Sequence, residues 1–399
     1  MLRFCSCAVA LFLGFLPRWA AGAEPKDWKL PPLDGELSGD LGLVLAGAPP
    51  VKWTLRVRTE KPLERVVEFV IEGRGLRLLG DARLDPMGEG TWRIAEAEIN
   101  LADWFAAIAP RFLPDLASAT AGGTLRLHGA GTWRGGVLGG KATLSLREGR
   151  IDDSARQVML EGISVDVVIA DLAARRTEPE QVFTWRSGRY NGIAIGVGRI
   201  EALLDGEEIR VNNAAIDIFG GELRVGSLVM STSKPEFSVV AQMNGVAVDQ
   251  ILFLLPPVLS EARGRLDGNV ALSRDSTGIQ IGDARLNLRQ GETADLRLAI
   301  KPGWLSTALP PEVVKYFPGF RKIETGEIPI RAKVLEITMT PLGDAEGRTA
   351  WVHLAGGPSD PELTAPIDTT VNVRGPLEQL VKIGAELGTN SRLRFSGSK

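Results

Sequence analysis

From Val51 to Arg58 apolar and polar residues alternate without a break. Val51, Trp53, Leu55 and Val57 take one parity, and Lys52, Thr54, Arg56 and Arg58 the other. Successive side chains of a strand point to opposite faces, so this pattern describes a half-buried antiparallel strand. A parallel core strand would be apolar on both faces. The same period returns in Leu144/Leu146, Ile163/Val165/Val167/Ile169, Phe237/Val239/Ala241/Met243, Ile279/Ile281 and Leu296/Leu298/Ile300. Turn signals separate the runs: Arg74-Gly75, Glu148-Gly149, Asp205-Gly206, Gly220-Gly221 and Gly356-Gly357. The spacing predicts about 20 short strands and an all-β architecture, a long antiparallel sheet with one apolar face. The 46 glycines and 24 prolines, against two tyrosines and two histidines, suit many strands joined by tight turns.

Four segments break the alternation and have helical spacing: 103–116, 249–261, 304–317 and 376–387. Asp103 and Asp249 stand where an N-cap is expected, and capping accounts for both carboxylates. Gly123, Gly264 and Gly326 then open new strands. The unit of strand, capping Asp, short Pro-ended helix and Gly restart recurs without a fixed period. A uniform solenoid is therefore excluded.

The chain opens with Arg3, an apolar run over 4–16, and Ala21-Gly22-Ala23, a small-x-small cleavage pattern. A membrane span needs about 20 apolar residues, so 1–23 reads as a signal peptide and the chain as periplasmic, either free there or peripheral to the inner or outer membrane. Cleavage removes Cys5 and Cys7, leaving no thiol for a disulfide or a metal. A Pro/Gly-rich lead-in follows over 24–50, with a first short strand near 41–45. The β domain runs over 51–387, and 388–399 is a tail.

The search for chemistry excludes more than it finds. His128 and His353 have no second His or Cys at ligand spacing, so no metal site is expected. There is no Gly-x-Ser-x-Gly nucleophile elbow and no phosphate loop. Gly192 to Gly198 (GIAIGVG) reads as a strand. Asp152-Asp153 and Glu207-Glu208 read as solvated turn acids. Trp53, Trp104 and Trp304 read as core. The net charge is −3 with arginine and acidic residues interleaved, so nucleic acid is not a partner. No catalytic residue and no cofactor is assigned.

A long sheet with one apolar face must cover that face. It either closes into a sandwich or curls into a trough that accepts acyl chains, each buried CH₂ contributing about 0.8 kcal/mol. The candidate lining residues are Val51, Trp53, Leu55, Leu144, Leu146, Val165, Val167, Phe237, Val239, Ile279, Ile281, Leu296 and Leu298. Ile251, Leu252, Leu254 and Leu255 form a greasy helical turn that would plug the trough or touch a membrane.

The unit VAVDQILFLLPPVLSEARGRLDGNV, the following IQIGDARLNLRQGETADLRLAI and the final TTVNVRGPLEQLVKIGAEL resemble the AsmA-like proteins of Gram-negative envelopes. They look most like the C-terminal region of the YdbH branch, also labelled a dicarboxylate transport family, beside TamB and YhdP. The resemblance covers 95–387. It implies an elongated, curved sheet, taco-like in section, whose apolar groove moves phospholipid between the membranes. It also implies a small outer-membrane lipoprotein as a partner at the sheet edge, or self-association there. An assembly factor that binds outer-membrane proteins through an open edge is the alternative function. No ordered Arg/Lys site supports dicarboxylate as cargo.

Overall fold

The computed structural model describes residues 34–41, 47–61, 64–85, 87–254, 259–275, 278–299, 303, 307, 319–363 and 366–374. The expected signal 1–23, Leu255, Trp304, the predicted helix 376–387, nearly all of 304–317 and the tail 388–399 lie outside them. Among the described residues 23 strands join by antiparallel pairing. The chain divides into two compact units. The first takes the described residues of Met1–Tyr190, Val197–Ala214 and Ser227–Pro235, and the second those of Asn191–Gly196, Ala215–Gly226 and Glu236–Lys399.

In the first unit the strands are β1 (Gly35–Leu41), β2 (Val51–Lys61), β3 (Glu64–Gly73), β4 (Leu76–Leu84), β5 (Gly90–Asn100), β6 (Thr120–Arg134), β7 (Val137–Asp153) and β8 (Val158–Asp171). Each pairs with the next in chain order. β8 then carries β9 (Arg176–Thr177), β10 (Gln181–Trp185) and β11 (Ser187–Tyr190). β9 and β10 pair onward with β12 (Ile193–Asp205). Hairpins of this kind follow from alternation plus turn residues of positive φ, such as the Gly135-Gly136 turn between β6 and β7.

The next strands are β13 (Glu208–Ile218), β14 (Gly221–Val225), β15 (Leu228–Ser231), β16 (Phe237–Ala247), β17 (Leu259–Arg263) and β18 (Arg265–Arg274). The last are β19 (Ile279–Leu288), β20 (Ala294–Leu298), β21 (Ile330–Met339), β22 (Arg348–Pro358) and β23 (Ile367–Arg374). In the second unit pairing runs β14–β16–β18–β19–β21–β22–β23, and β17 joins through β20 to β21. Its apolar face is a filled core that includes Ala241, Leu266, Leu286, Leu296, Ile330 and Ile337.

Several expectations need correction. The first strand is Gly35–Leu41, earlier than 41–45. Glu148-Gly149 lies inside β7, where the register shifts between Leu146 and Gly149. The extra residue is absorbed as a β-bulge, so the glycine bends the strand rather than ending it. Gly356-Gly357 likewise lies inside β22, and at Gly356 a Cβ would collide with the Arg331 carbonyl.

The helix predicted at 103–116 starts earlier, as α1 (Leu101–Phe112), followed by a 3₁₀ turn at Pro114–Leu116. Its cap is Asn100, whose Oδ1 accepts from the Ala102 N–H at 2.9 Å. Asp103 sits in the first turn and pairs with Arg74 at 2.8 Å. The segment 249–261 is a 3₁₀ helix at Val248–Leu254 with β17 beginning at Leu259. Asp249 stands inside its first turn, exposed, accepting from the Gln250 side chain at 3.2 Å. Gly264 does divide β17 from β18. Its φ is +145° and a Cβ there would stand 2.8 Å from the Ala294 Cβ.

Asp153 is not a solvated turn acid. It ends β7 at 1% exposure. It accepts from Ser118 Oγ at 3.2 Å, from the Arg156 N–H at 3.3 Å and from Arg156 Nη1 at 2.7 Å. Burial pushes its carboxyl up, but the side-chain and backbone hydrogen bonds from Arg156 and the one from Ser118 outweigh it and hold it below its ordinary value. A folded value below the unfolded one makes the contribution complete above the ordinary carboxylate range and lost as pH falls through the lowered value. Asp153→Ala leaves those donors without their acceptor and is expected to cost about 1–3 kcal/mol at neutral pH. Urea midpoints at pH 7 and pH 3 test this. A deficit that does not shrink at pH 3 contradicts it.

Candidate functional site

Pairing register shows which side chains share a face, because directly opposed residues point the same way. Across β1 to β8 one row of opposed residues is Leu37, Leu55, Phe69, Gly80, Ile94, Gly129, Ala142 and Ile169. The next row is Gly39, Trp53, Ile71, Leu78, Ala97, Leu127, Leu144 and Val167. A third row runs Val51, Gly73, Leu76, Ile99, Leu125, Leu146 and Val165. All of these positions are apolar or glycine. The first unit thus carries one continuous apolar face eight strands wide.

The opposite face is a ladder of charge pairs: Arg58 with Glu68, Arg93 with Asp81 at 2.6 Å, Arg126 with Glu98 at 2.5 Å and Arg147 with Asp166 at 2.7 Å. Such exposed pairs contribute about 0–1 kcal/mol each. Their main consequence is to keep that face in water and set which face remains apolar.

The apolar face is not covered evenly. Leu127, Leu144, Leu146, Val165 and Val167 are buried. At one end α1 lies on it, with Trp104, Ala107 and Ile108 packed with Val51 and against Ile71, Leu76 and Ile99. Over β1 to β4 the cover is thinner. Trp53, Leu55, Val57, Val67, Phe69, Ile71 and Leu78 are only half-buried, and Leu37 is 56% exposed. Among the described residues this strip is the half-buried stretch of that apolar face over β1 to β4.

The floor of the strip is built by laying rings on glycines. The Trp53 indole lies over Gly39, where a Cβ would be 3.1 Å from the ring. The Phe69 ring occupies the space above Gly80, leaving no room for a Cβ there. Outside the strip the buried Trp92 lies likewise over Gly129 at 3.2 Å, and the buried Trp185 over Gly198 in β12. A glycine beside an aromatic lets the ring lie across the neighbouring strand instead of standing off the sheet. The result is apolar area with low relief. It suits a flexible hydrocarbon chain better than a rigid polar ligand, which would need placed donors and acceptors.

The remaining candidates fall as follows. Val51 is buried under α1. In the second unit Leu296 is in the core, Phe237, Val239 and Leu298 are half-buried, and Ile279 and Ile281 are more than half exposed. Ile251 is buried in that same core, Leu252 and Leu254 are placed by backbone only, and Leu255 is not described. The strip's Phe69, Ile71 and Leu78 escaped the sequence reading. Val66 and Val70 put apolar residues on both parities of β3 and blur its alternation, and Val66 is itself buried on the far face.

The His128 Nδ1–H donates to the Ala95 carbonyl at 2.7 Å, and His353 Nε2 lies 3.0 Å from Asp368 Oδ1. No cluster of His, Cys, Asp and Glu suited to a metal occurs among the described residues. No helix among them is long and apolar enough to cross a membrane.

A family model described as YdbH-like, intermembrane phospholipid transport protein YdbH, matches residues 20–294. The match begins well before the 95–387 stretch that carries the resemblance and stops before its end. It contains the whole strip on β1 to β4. No curated protein and no solved structure matches the chain.

Proposed function

The chain belongs to the YdbH-like family, which implies intermembrane phospholipid transport, and on that premise we propose that the strip on β1 to β4 is where it holds acyl chains. The observation that carries this is the half-buried, low-relief apolar surface around Trp53, Leu55 and Phe69. Each CH₂ moved from water onto it contributes about 0.8 kcal/mol, so a phospholipid needs no dedicated polar contact to be retained. Transport then consists of chains sliding on a surface without deep traps. The periplasm is the compartment, and outer-membrane lipid balance is the process served.

Native mass spectrometry of the folded chain, taken from cells after mild extraction, is expected to show phospholipid-sized adducts that organic solvent removes. A folded protein that stays lipid-free, even after incubation with phospholipid, counts against the proposal.

One observation favours a second reading. Among the described residues β1 pairs only with β2, so its outer N–H and C=O groups can accept another strand. A small outer-membrane lipoprotein, an outer-membrane protein client or a second copy would fit there. Crosslinks from Ser38 to such a strand, in a protein without lipid adducts, would select this reading.

A further inference from the structure

The end of the first unit away from α1 presents two hairpin turns side by side, because Gly90 of β5 stands opposite Trp133 of β6. In the β4–β5 turn Asp85 Oδ1 accepts from the N–H groups of Met87 at 2.8 Å and Glu89 at 2.9 Å. In the β6–β7 turn the Gly135 N–H donates to Glu89 Oε1 at 2.9 Å, latching the two turns together. This tip displays Met87 at 83% exposure and Val137 at 56%, although apolar side chains gain nothing from being displayed to water.

Arg83 and Arg134 flank the turns, both exposed. Neither side chain has a hydrogen bond or ion pair among the described residues, whereas most arginines of this unit are ion-paired. The nearby carboxylates of Asp85 and Glu89 are engaged by the turns' own amides. Free guanidiniums beside exposed apolar tips match the chemistry of a phospholipid interface, phosphate at the surface and hydrocarbon just beneath.

We propose that this hairpin end docks on a phospholipid bilayer, with Met87 and Val137 entering the acyl region and Arg83 and Arg134 binding lipid phosphates. The proposal rests on the phospholipid-carrying reading and adds the place where lipid is exchanged. The apolar face reaches this same end on β4 to β6, where Leu84, Gly90 and Trp133 stand in one row, while Arg65 and Thr59 carry that row onto β3 and β2.

The test uses the full chain with Cys5→Ser and Cys7→Ser, and an environment-sensitive NBD label on Met87→Cys or Val137→Cys. Vesicles of phosphatidylcholine with phosphatidylglycerol are expected to brighten and blue-shift both labels. A label on Arg77→Cys, on the polar face, should not change. An unshifted label at both tip positions overturns the docking. Arg83→Gln with Arg134→Gln is expected to weaken the tip response at least 5-fold and flatten its salt dependence, and an unchanged response overturns the arginines' role. Lipid adducts measured on the same preparations separate the two claims. A lipid-loaded protein with unshifted labels refutes the docking alone, and a lipid-free protein with shifted labels refutes the carrying alone.

Discussion

Phe69→Asp combined with Leu55→Asp is expected to lower phospholipid loading 10- to 100-fold while leaving the protein folded. Both side chains stand opposite one another on the half-buried strip. A carboxylate there meets water in the empty protein, so folding tolerates it. Under an acyl chain it must be desolvated, which costs several kcal/mol, and each 1.4 kcal/mol is a factor of ten in affinity. The comparison variant is Leu144→Ala. Leu144 is 2% exposed on the same face but under cover. Its truncation is expected to cost about 2–5 kcal/mol of stability and to leave loading per folded molecule unchanged. Loading is read by lipid mass spectrometry and stability by urea titration. Equal loading in the double aspartate variant and the parent would remove the strip from the lipid path.

That contrast depends on a distinction that alternation does not make. Periodicity assigns Leu55 and Leu144 to an apolar face equally, and both do lie on it. It does not report what covers each, because cover comes from residues distant in sequence. Leu144 and Leu55 both have apolar neighbours opposed on each side, yet Leu144 is buried and Leu55 only half-buried, and Val51 is buried because α1 lies over it. The rings laid on Gly39 and Gly80 were hidden for the same reason. They depend on pairing register, and a shift of one residue would turn them to the other face.

Strands with clean alternation, such as β2 and β8, were legible. β3 was not, since Val66 and Val70 oppose Val67 and Phe69 in parity. The bulge at Glu148-Gly149 imitates a turn locally, and only the continued pairing of β7 with β8 shows otherwise. The helical spacing of 249–261 is overridden from Leu259 by pairing with β20, Ala262 opposite Leu296, a long-range partner that local propensity does not contain. The resemblance drawn from 95–387 reached the right family from segments partly outside the matched region. The repeated grammar of strand, cap and restart carried it, and no single motif did.

Trp104→Ala is expected to cost about 3–5 kcal/mol, the range for removing a buried aromatic. Trp104 is 3% exposed, and its indole N–H donates to the Arg74 carbonyl at 2.8 Å. It therefore fastens α1 to the β3–β4 turn, where Asp103 also pairs with Arg74 and the Asn100 N–H donates to the Gly75 carbonyl at 2.7 Å. Asn100→Ala, which removes only the cap, is expected to cost about 1 kcal/mol. Trp104→Phe keeps most of the packing and loses the hydrogen bond, so it falls between them. α1 is the cover over one end of the apolar face, so loosening it exposes Ile71, Leu76 and Ile99. The alanine variant should accordingly bind a hydrophobic dye more strongly at urea concentrations well below its midpoint, and Asn100→Ala should not. A Trp104→Ala protein that loses less than about 1 kcal/mol and gains no dye binding would show that the helix is not what closes that end of the face.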